Sequence, residues 1–223
     1  MRIFLAVIMA MVGWSACAQA QVSGSVEFNL FELEGVSSNR IFIFDEAYTR
    51  QYGVPVPAPF TLQVPDQDQV ELIADGQPEG GAFLRLTFVT GEPRQFVENI
   101  QVVTATIPMA EEAEDPQATR LQLSANLLQE RVFPVAVQGF QDAEVLAIEV
   151  FEFNGHMGVH LVGRYVDPAI GPMLLRLTAH PNPNQPESYL TVGNINLALV
   201  PVTDGDSLRQ SLSGRTANSL TYD

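Results

Sequence analysis

The stretch LAIEVFEFNGHMGVHLVGRYV, residues 146–166, decides the fold of this chain. Two runs rich in β-branched and aromatic residues lie on either side of Asn154-Gly155, the dipeptide that best tolerates the positive φ angles of a type I′ turn. The pattern predicts a β-hairpin. Because so short a turn joins only antiparallel strands, the hairpin indicates an antiparallel sheet.

Further strands are predicted on both sides of this hairpin, from alternating polar and apolar residues or from short apolar runs bounded by turn residues. Those before it are residues 26–30, 41–44, 83–89 and 98–107. Those after it are residues 173–180 and 189–202, separated by the proline-rich loop PNPNQPE. Prolines in VPVPAP, residues 54–59, predict an extended connector after the first strands.

One segment has helical periodicity instead. Asp115 is suited to accept from the free amides of a first helical turn, and Pro116 fits the first helical position. Apolar residues then recur at helical spacing, which predicts a helix over about 116–130. The fold class is therefore α+β, a strand-rich, mostly antiparallel twisted sheet packed by one main helix, and the alternative is a β-sandwich with one helix. Acidic residues just before the helix are interpreted as a solvated lead-in rather than a metal site: Glu111, Glu112 and Glu114.

The N-terminus predicts export. Residues 1–20 combine one charge at Arg2, a short apolar run and the small-residue triplet Ala18-Gln19-Ala20, as signal peptides do. Cleavage after Ala20 is expected, and the alternative is lipidation at Cys17, which would tether the protein. The apolar run is too short for a membrane span. The predicted location is the bacterial periplasm or the extracellular space, with a Cys17-anchored lipoprotein as the alternative.

Composition excludes several classes of protein. All 11 basic residues are arginine, so no lysine-dependent mechanism is available, and the single cysteine excludes an internal disulfide. The formal net charge of −15 opposes binding to nucleic acid. After residues 1–20, residues 21–203 are predicted to form one strand-rich domain and residues 204–223 a polar tail, mostly loop with one short helical piece.

The three histidines do not form a metal motif. His156 and His160 have the i, i+4 spacing of helical zinc sites, but on a strand such residues lie about 13 Å apart. Both are expected on the solvent face of the hairpin, and His180 at an exposed strand end. No metal or other cofactor is predicted.

Two aspartate pairs could donate oxygens to calcium, Asp66 with Asp68 and Asp204 with Asp206. Neither completes a twelve-residue calcium loop, so turn-forming aspartates are the preferred interpretation.

Residues 205–208 read GDSL, the letters that carry the nucleophilic serine of one hydrolase family. That block belongs near the mature N-terminus of a parallel α/β fold, whereas here only fifteen residues follow it and none is histidine. A serine without a base is not an activated nucleophile. Ser207 is therefore predicted to lie near a helix cap, and no catalytic residue is predicted.

The order of elements resembles the PsbP-like family of exported α+β domains. PFTLQVPDQD, FVENIQVVTATIP, the helix and EVFEFNGHMGVHLVGRYVDP follow one another across residues 59–180, and Asn99-Ile100-Gln101-Val102 matches the family's strand core. The chain departs from the family at Asp66-Gln67-Asp68, where a tryptophan is usual, and at the strand-like residues 194–202, where the family has a helix.

This resemblance implies an accessory or binding protein. The function predicted is an exported, non-catalytic envelope protein that binds an unknown protein or a small-molecule ligand. The alternatives are an uncharacterised hydrolase and a calcium-dependent surface module.

Overall fold

The computed structural model describes residues 40–65, 70–77 and 82–223, and over these ranges the predicted α+β class is confirmed. The first strands are β1 Arg40–Phe44, β2 Phe60–Val64, β3 Glu71–Gln77, β4 Ala82–Thr90 and β5 Gln95–Thr106. The later strands are β6 Gln141–Phe153, β7 His156–Asp167, β8 Gly171–His180, β9 Glu187–Asn196 and β10 Thr221–Tyr222. The helices are α1 Glu46–Tyr52, α2 Pro116–Leu127, α3 Phe133–Ala136, α4 Gly205–Gln210 and α5 Leu212–Asn218.

The strands form two antiparallel sheets. Seven of them make one sheet in the order β3-β4-β5-β9-β8-β7-β6, and the other three make a small sheet in the order β1-β2-β10. Every pairing between described strands is antiparallel, as the hairpin pattern predicts.

The hairpin of β6 and β7 is confirmed. Both turn residues have positive φ angles, 47° at Asn154 and 78° at Gly155, as a type I′ turn requires. The Asn154 side-chain amide also donates to the carbonyl oxygens of Asn218 and Leu220, at 2.9 and 3.3 Å. The tip of the hairpin is thereby attached to the C-terminal residues.

The main helix is also confirmed, and it runs further than residue 130. The Asp115 side chain accepts from the Ala118 amide at 2.9 Å, and Pro116 is in the first turn. After α2 a π-helical turn, Leu128–Val132, leads directly into α3. The ring of Phe133 lies so close to Gly163 that a Cβ there would approach it to 2.5 Å, so the strand passes beneath the helix only because it has glycine at this point.

Each face of the seven-stranded sheet is covered by a different layer. On one face α2 and α3 pack over apolar strand residues: Val159, Leu161, Leu175, Leu177 and Val192. On the other face lie the small sheet and the C-terminal helices, which contribute Phe60, Leu208, Leu212 and Leu220 to a second core. We call these the α2 face and the α5 face.

The expectation of a loop-like tail after residue 203 is wrong. Residues 205–218 form α4 and α5, and Leu208, Leu212 and Leu220 are all buried in the core of the α5 face. The last predicted strand, 189–202, in turn ends early, at Asn196. It ends there because the Asn196 side chain accepts from the Ala198 amide, and its carbonyl accepts from the Leu199 and Val200 amides, which turns the chain.

Helix α1 was not predicted. Asp45 accepts from the Tyr48 amide at its start, and Gly53, with φ 69°, ends it. It lies between β1 and the connector 54–59, which has no regular secondary structure.

Several expectations concern residues outside the described ranges. These are the signal peptide 1–20, lipidation at Cys17, the strand 26–30, and the pair Asp66 and Asp68. Within the described residues, no helix combines the length and hydropathy needed to span a membrane.

Candidate functional site

A groove of about 540 Å³ opens at the end of the sheet where the β6–β7 turn lies. Three segments meet there: the start of α2 with the loop before it, the hairpin tip, and the loop after β8. Its apolar wall consists of Met109, Pro116, Leu121, Met157, Pro181 and Pro183. This concave, largely apolar lining is typical of a small-molecule site.

Arg120 holds two of these segments in place. Its guanidinium donates to the carbonyl oxygens of Pro108 at 3.1 Å and Ile107 at 3.2 Å, in the loop before α2. It also donates to those of Asn182 at 2.5 Å and Gln185 at 2.8 Å, in the loop after β8. Burial lowers the pKa of Arg120. These four hydrogen bonds fix the loop before α2 and the loop after β8 relative to each other.

Three further polar side chains line the groove, Gln117, Glu152 and His156. Gln117 and Glu152 are exposed, and His156 is half-buried. Burial lowers the pKa of His156, which favours the neutral form of its imidazole. Its ring packs against Tyr222 at 5.7 Å between centroids, which connects the groove to the aromatic residues of the α5 face.

The histidines are less exposed than their sequence pattern predicts. His160 is 9% exposed and its Nε2 lies 3.2 Å from Glu149 Oε2, while His180 is fully buried with its Nε2 3.3 Å from Thr191 Oγ1. The expectation of a solvent face is wrong because the C-terminal residues cover it. Burial lowers the pKa of both rings, for His180 well below its ordinary value.

The structure brings His156 and His180 near each other, with ring centroids 6.4 Å apart. His160 lies further along β7, and its ring is tilted against that of Phe151 with 4.7 Å between centroids. Among the described residues, no group of three or more histidine, cysteine or acidic side chains has the arrangement of a metal site.

Ser207 is a helix-cap residue in this structure, as its sequence context predicts. Its hydroxyl accepts from the Thr203 and Asp204 amides at 2.9 Å and donates to the Asp204 carbonyl at 2.9 Å. The Asp204 side chain accepts from the Ser207 amide in return, which completes a capping box. Asp206, the other member of that aspartate pair, forms an ion pair with Arg209.

Two buried ionisable residues of the α5 face, Glu98 and Arg176, were not predicted from the sequence. Glu98 accepts from the Leu212 amide at 3.2 Å, and from the Ser213 amide and hydroxyl at 2.8 and 2.6 Å. Arg176 donates to the Gly214 carbonyl at 3.3 Å and to Asn218 Oδ1 at 2.7 Å. Both therefore fasten α5 to the sheet.

Burial is the largest cause of the pKa shifts of both Glu98 and Arg176. It raises the pKa of Glu98, against the opposing effect of the hydrogen bonds from Ser213 and Leu212. It lowers the pKa of Arg176 to about 10, with a further contribution from Arg209. A charged residue inside the apolar run MLLRLTAH was the available signal for Arg176, because such a residue must be paired if it is buried.

Comparison with known proteins gives structural similarity only. No protein-family model matches the chain, and no curated protein matches it. Among solved structures it is similar to cyanobacterial PsbP from Synechocystis sp. PCC 6803, with 16% identity over 85% of this chain and 96% of that one and a TM-score of 0.49. The weak resemblance to the PsbP-like family is thus confirmed.

Two other structures are more distant. LpqN of Mycobacterium tuberculosis, described as involved in cell envelope biogenesis, has 12% identity over 82% of this chain and 90% of that one, with a TM-score of 0.43. A Pseudomonas aeruginosa protein of unknown function, described as a putative regulator, has 14% identity over 73% of this chain and 87% of that one, with a TM-score of 0.30. Similarities of this size carry no information on activity or partners.

Proposed function

We propose that this protein is an exported, non-catalytic binding module whose groove takes a small, largely apolar molecule. The observation that carries the proposal is the groove of about 540 Å³, with its six apolar lining residues and its few polar groups. Sites for small molecules are typically about 300–1,000 Å³ and share this division between apolar wall and sparse polar groups. The Arg120 bonds support it, since a preformed site loses less entropy when it binds.

The contacts of the candidate nucleophile support a role without catalysis. A nucleophilic serine needs a base that takes its proton, whereas the Ser207 hydroxyl donates to a backbone carbonyl within its own helix cap. Asp206 is engaged by Arg209, which leaves the calcium alternative without support from that aspartate pair.

The signal-peptide pattern supports export. In the proposal residues 1–20 are removed and the mature chain, or a form anchored through Cys17, works in the periplasm or outside the cell. The acidic surface serves solubility there and disfavours nucleic acid.

The direct test is recovery of the ligand from the native envelope. The protein is purified in buffers without detergent, so that a bound apolar molecule is not extracted from it. It is then denatured, and the small molecules that it releases are identified by mass spectrometry. A groove-filling variant, Gln117→Trp, is compared with Gln122→Trp, which places the same side chain on an exposed position of the same helix that is not part of the groove.

We expect one molecular species to be retained by the natural protein and by Gln122→Trp and to be lost from Gln117→Trp. Equal retention by both variants would overturn the groove as the site. If a protein co-purifies and no small molecule is found, the binding partner is a protein and the small-molecule proposal is wrong.

A further inference from the structure

Strand β6 is an edge strand of the seven-stranded sheet, as far as the described residues show, and β7 is its one neighbour there. It is 13 residues long, and it carries three of the exposed large apolar side chains of the described residues, Val145 at 36%, Leu146 at 50% and Val150 at 52%. Edge strands are usually protected by shortness, proline, charged side chains or bulges. β6 contains neither proline nor a basic residue, and its charged side chains are all acidic.

Only the beginning of β6 is irregular. The pairing with β7 shifts between Gln141 and Glu144 and again between Val145 and Ala147, as at β-bulges, and is then regular from Ala147 to Phe153. Over residues 147–153 one face presents Ile148, Val150 and Glu152, and the opposite face presents Ala147, Glu149 and Phe151. Thus seven residues form a regular edge on which apolar and acidic residues have fixed positions.

We propose that residues 147–153 bind an extended, cationic segment of a partner protein, which adds to the sheet as an antiparallel strand. Backbone hydrogen bonds would supply affinity, and side chains on the two faces would supply specificity. The partner strand carries basic residues opposite Glu149 and Glu152 and apolar residues opposite Ile148 and Val150, since cross-strand neighbours interact directly.

Charge decides between this occupant and a second copy of the chain. The Glu149 side chain is 66% exposed, Glu152 is exposed, and each copy has a net charge of −15. Two such edges repel each other, whereas a cationic strand is attracted to either. Val150 and Glu149 do not line the groove, whereas Glu152 lies at its margin and belongs to both sites.

The probe is a capped seven-residue peptide, TRVIRVT, whose arginines fall opposite Glu152 and Glu149 in the antiparallel register. Its matched control, TEVIEVT, keeps the apolar residues and reverses the charge. Binding to the full mature chain is measured by fluorescence anisotropy at low salt, with Val150→Lys as the edge variant. Ile170→Lys is the control variant, because Ile170 is 37% exposed but lies in the β7–β8 turn.

We expect TRVIRVT to bind the natural chain and Ile170→Lys equally, and Val150→Lys about tenfold or more weakly. TEVIEVT should not bind. Circular dichroism checks that both variants are folded, and a second edge variant, Val150→Thr, keeps strand propensity while reducing the apolar contact, with a smaller loss expected.

Three results would overturn the proposal. The first is equal binding by Val150→Lys and Ile170→Lys, or no binding of TRVIRVT by the natural chain. The second is a dimer in sedimentation that Val150→Lys converts to a monomer, which would make a second copy the occupant. The third is binding of TRVIRVT only after residues 21–38 are deleted, which would assign the edge to that segment. Because Val150 lies outside the groove, a loss of peptide binding in Val150→Lys tests the edge strand and not the groove.

Discussion

The α2 face and the α5 face of the same sheet are stabilised in different ways. On the α2 face, strand residues such as Leu161, Leu175 and Leu177 are buried against apolar helix residues. On the α5 face, Glu98 and Arg176 are buried too, but they bind backbone and side-chain atoms of α5 at specific positions. The first face depends mainly on apolar area and close packing, with the hydrogen bonds of Arg120 at one end of it, whereas on the second face buried charged side chains bind the covering helix itself.

This difference has a consequence for function. Buried polar side chains in a sequence that contains GDSL invite a catalytic interpretation, yet those of the α5 face are used in fastening helices. The groove, by contrast, is at the end of the sheet, and its polar groups Gln117 and Glu152 are exposed to a ligand. Substitutions can therefore separate stability on the two faces from binding at the groove.

The largest effect is expected from the α2 face. Leu175→Ala removes a fully buried side chain and leaves a cavity, so we expect a loss of about 3 kcal/mol in the free energy of unfolding. Urea unfolding followed by circular dichroism measures it. Leu123→Ala, at a 38% exposed position of α2, is the control and should cost below about 0.5 kcal/mol.

The α5 face should lose somewhat less from a substitution that keeps side-chain volume. Glu98→Gln turns one of the two carboxylate oxygens into a donor, which faces either the Leu212 amide or the Ser213 amide and hydroxyl, so we expect a loss of about 2 kcal/mol. The same unfolding experiment measures it. A loss below about 0.5 kcal/mol would show that Glu98 does not hold α5, and the contrast between the two faces would be wrong.

A smaller effect is expected at the helix cap. Ser207→Ala removes the hydroxyl that bonds Thr203 and Asp204, at a cost of about 1 kcal/mol. Hydrolysis of p-nitrophenyl acetate by the purified protein should be the same before and after the substitution. A rate above the buffer rate that Ser207→Ala abolishes would make the hydrolase alternative correct.

The smallest expected effect is on the pH dependence of stability, through His180, whose imidazole is mainly neutral above pH 7 in both the folded and the unfolded chain. Burial lowers its pKa in the folded state, so the unfolded state binds more protons and stability decreases as the pH falls below about 6.5. His180→Asn should reduce this dependence. The check is the difference in unfolding free energy between pH 7.5 and pH 5; an unchanged difference would mean that His180 does not contribute.

The sequence predicted the α2 face better than the α5 face for a physical reason. Turn chemistry at Asn154-Gly155 and the cap at Asp115 are local, so the hairpin and the main helix could be predicted. Strand alternation places His160 on the face opposite Leu161, but it does not tell whether that face is covered. His160 and His180 were therefore expected in solvent.

The C-terminal residues that cover the α5 face, 204–223, were hard to recognise as helices. Residues 204–223 are rich in serine and threonine, and the leucines that α4 and α5 bury, Leu208 and Leu212, are single apolar residues on two separate short helices. The groove could not be predicted from a sequence motif either. It is assembled from residues about seventy positions apart, Met109 to Pro183, none of which has a distinctive pattern of its own.

The most direct test of the central claim, that the groove is a binding site for apolar molecules, is a titration with the neutral dye Nile red. Fluorescence is recorded for the natural chain, for Gln117→Trp, which fills the groove, and for Gln122→Trp, which does not. We expect a saturable increase in fluorescence for the natural chain and for Gln122→Trp, and a loss of most of that increase for Gln117→Trp. The same saturable increase in all three proteins would contradict it.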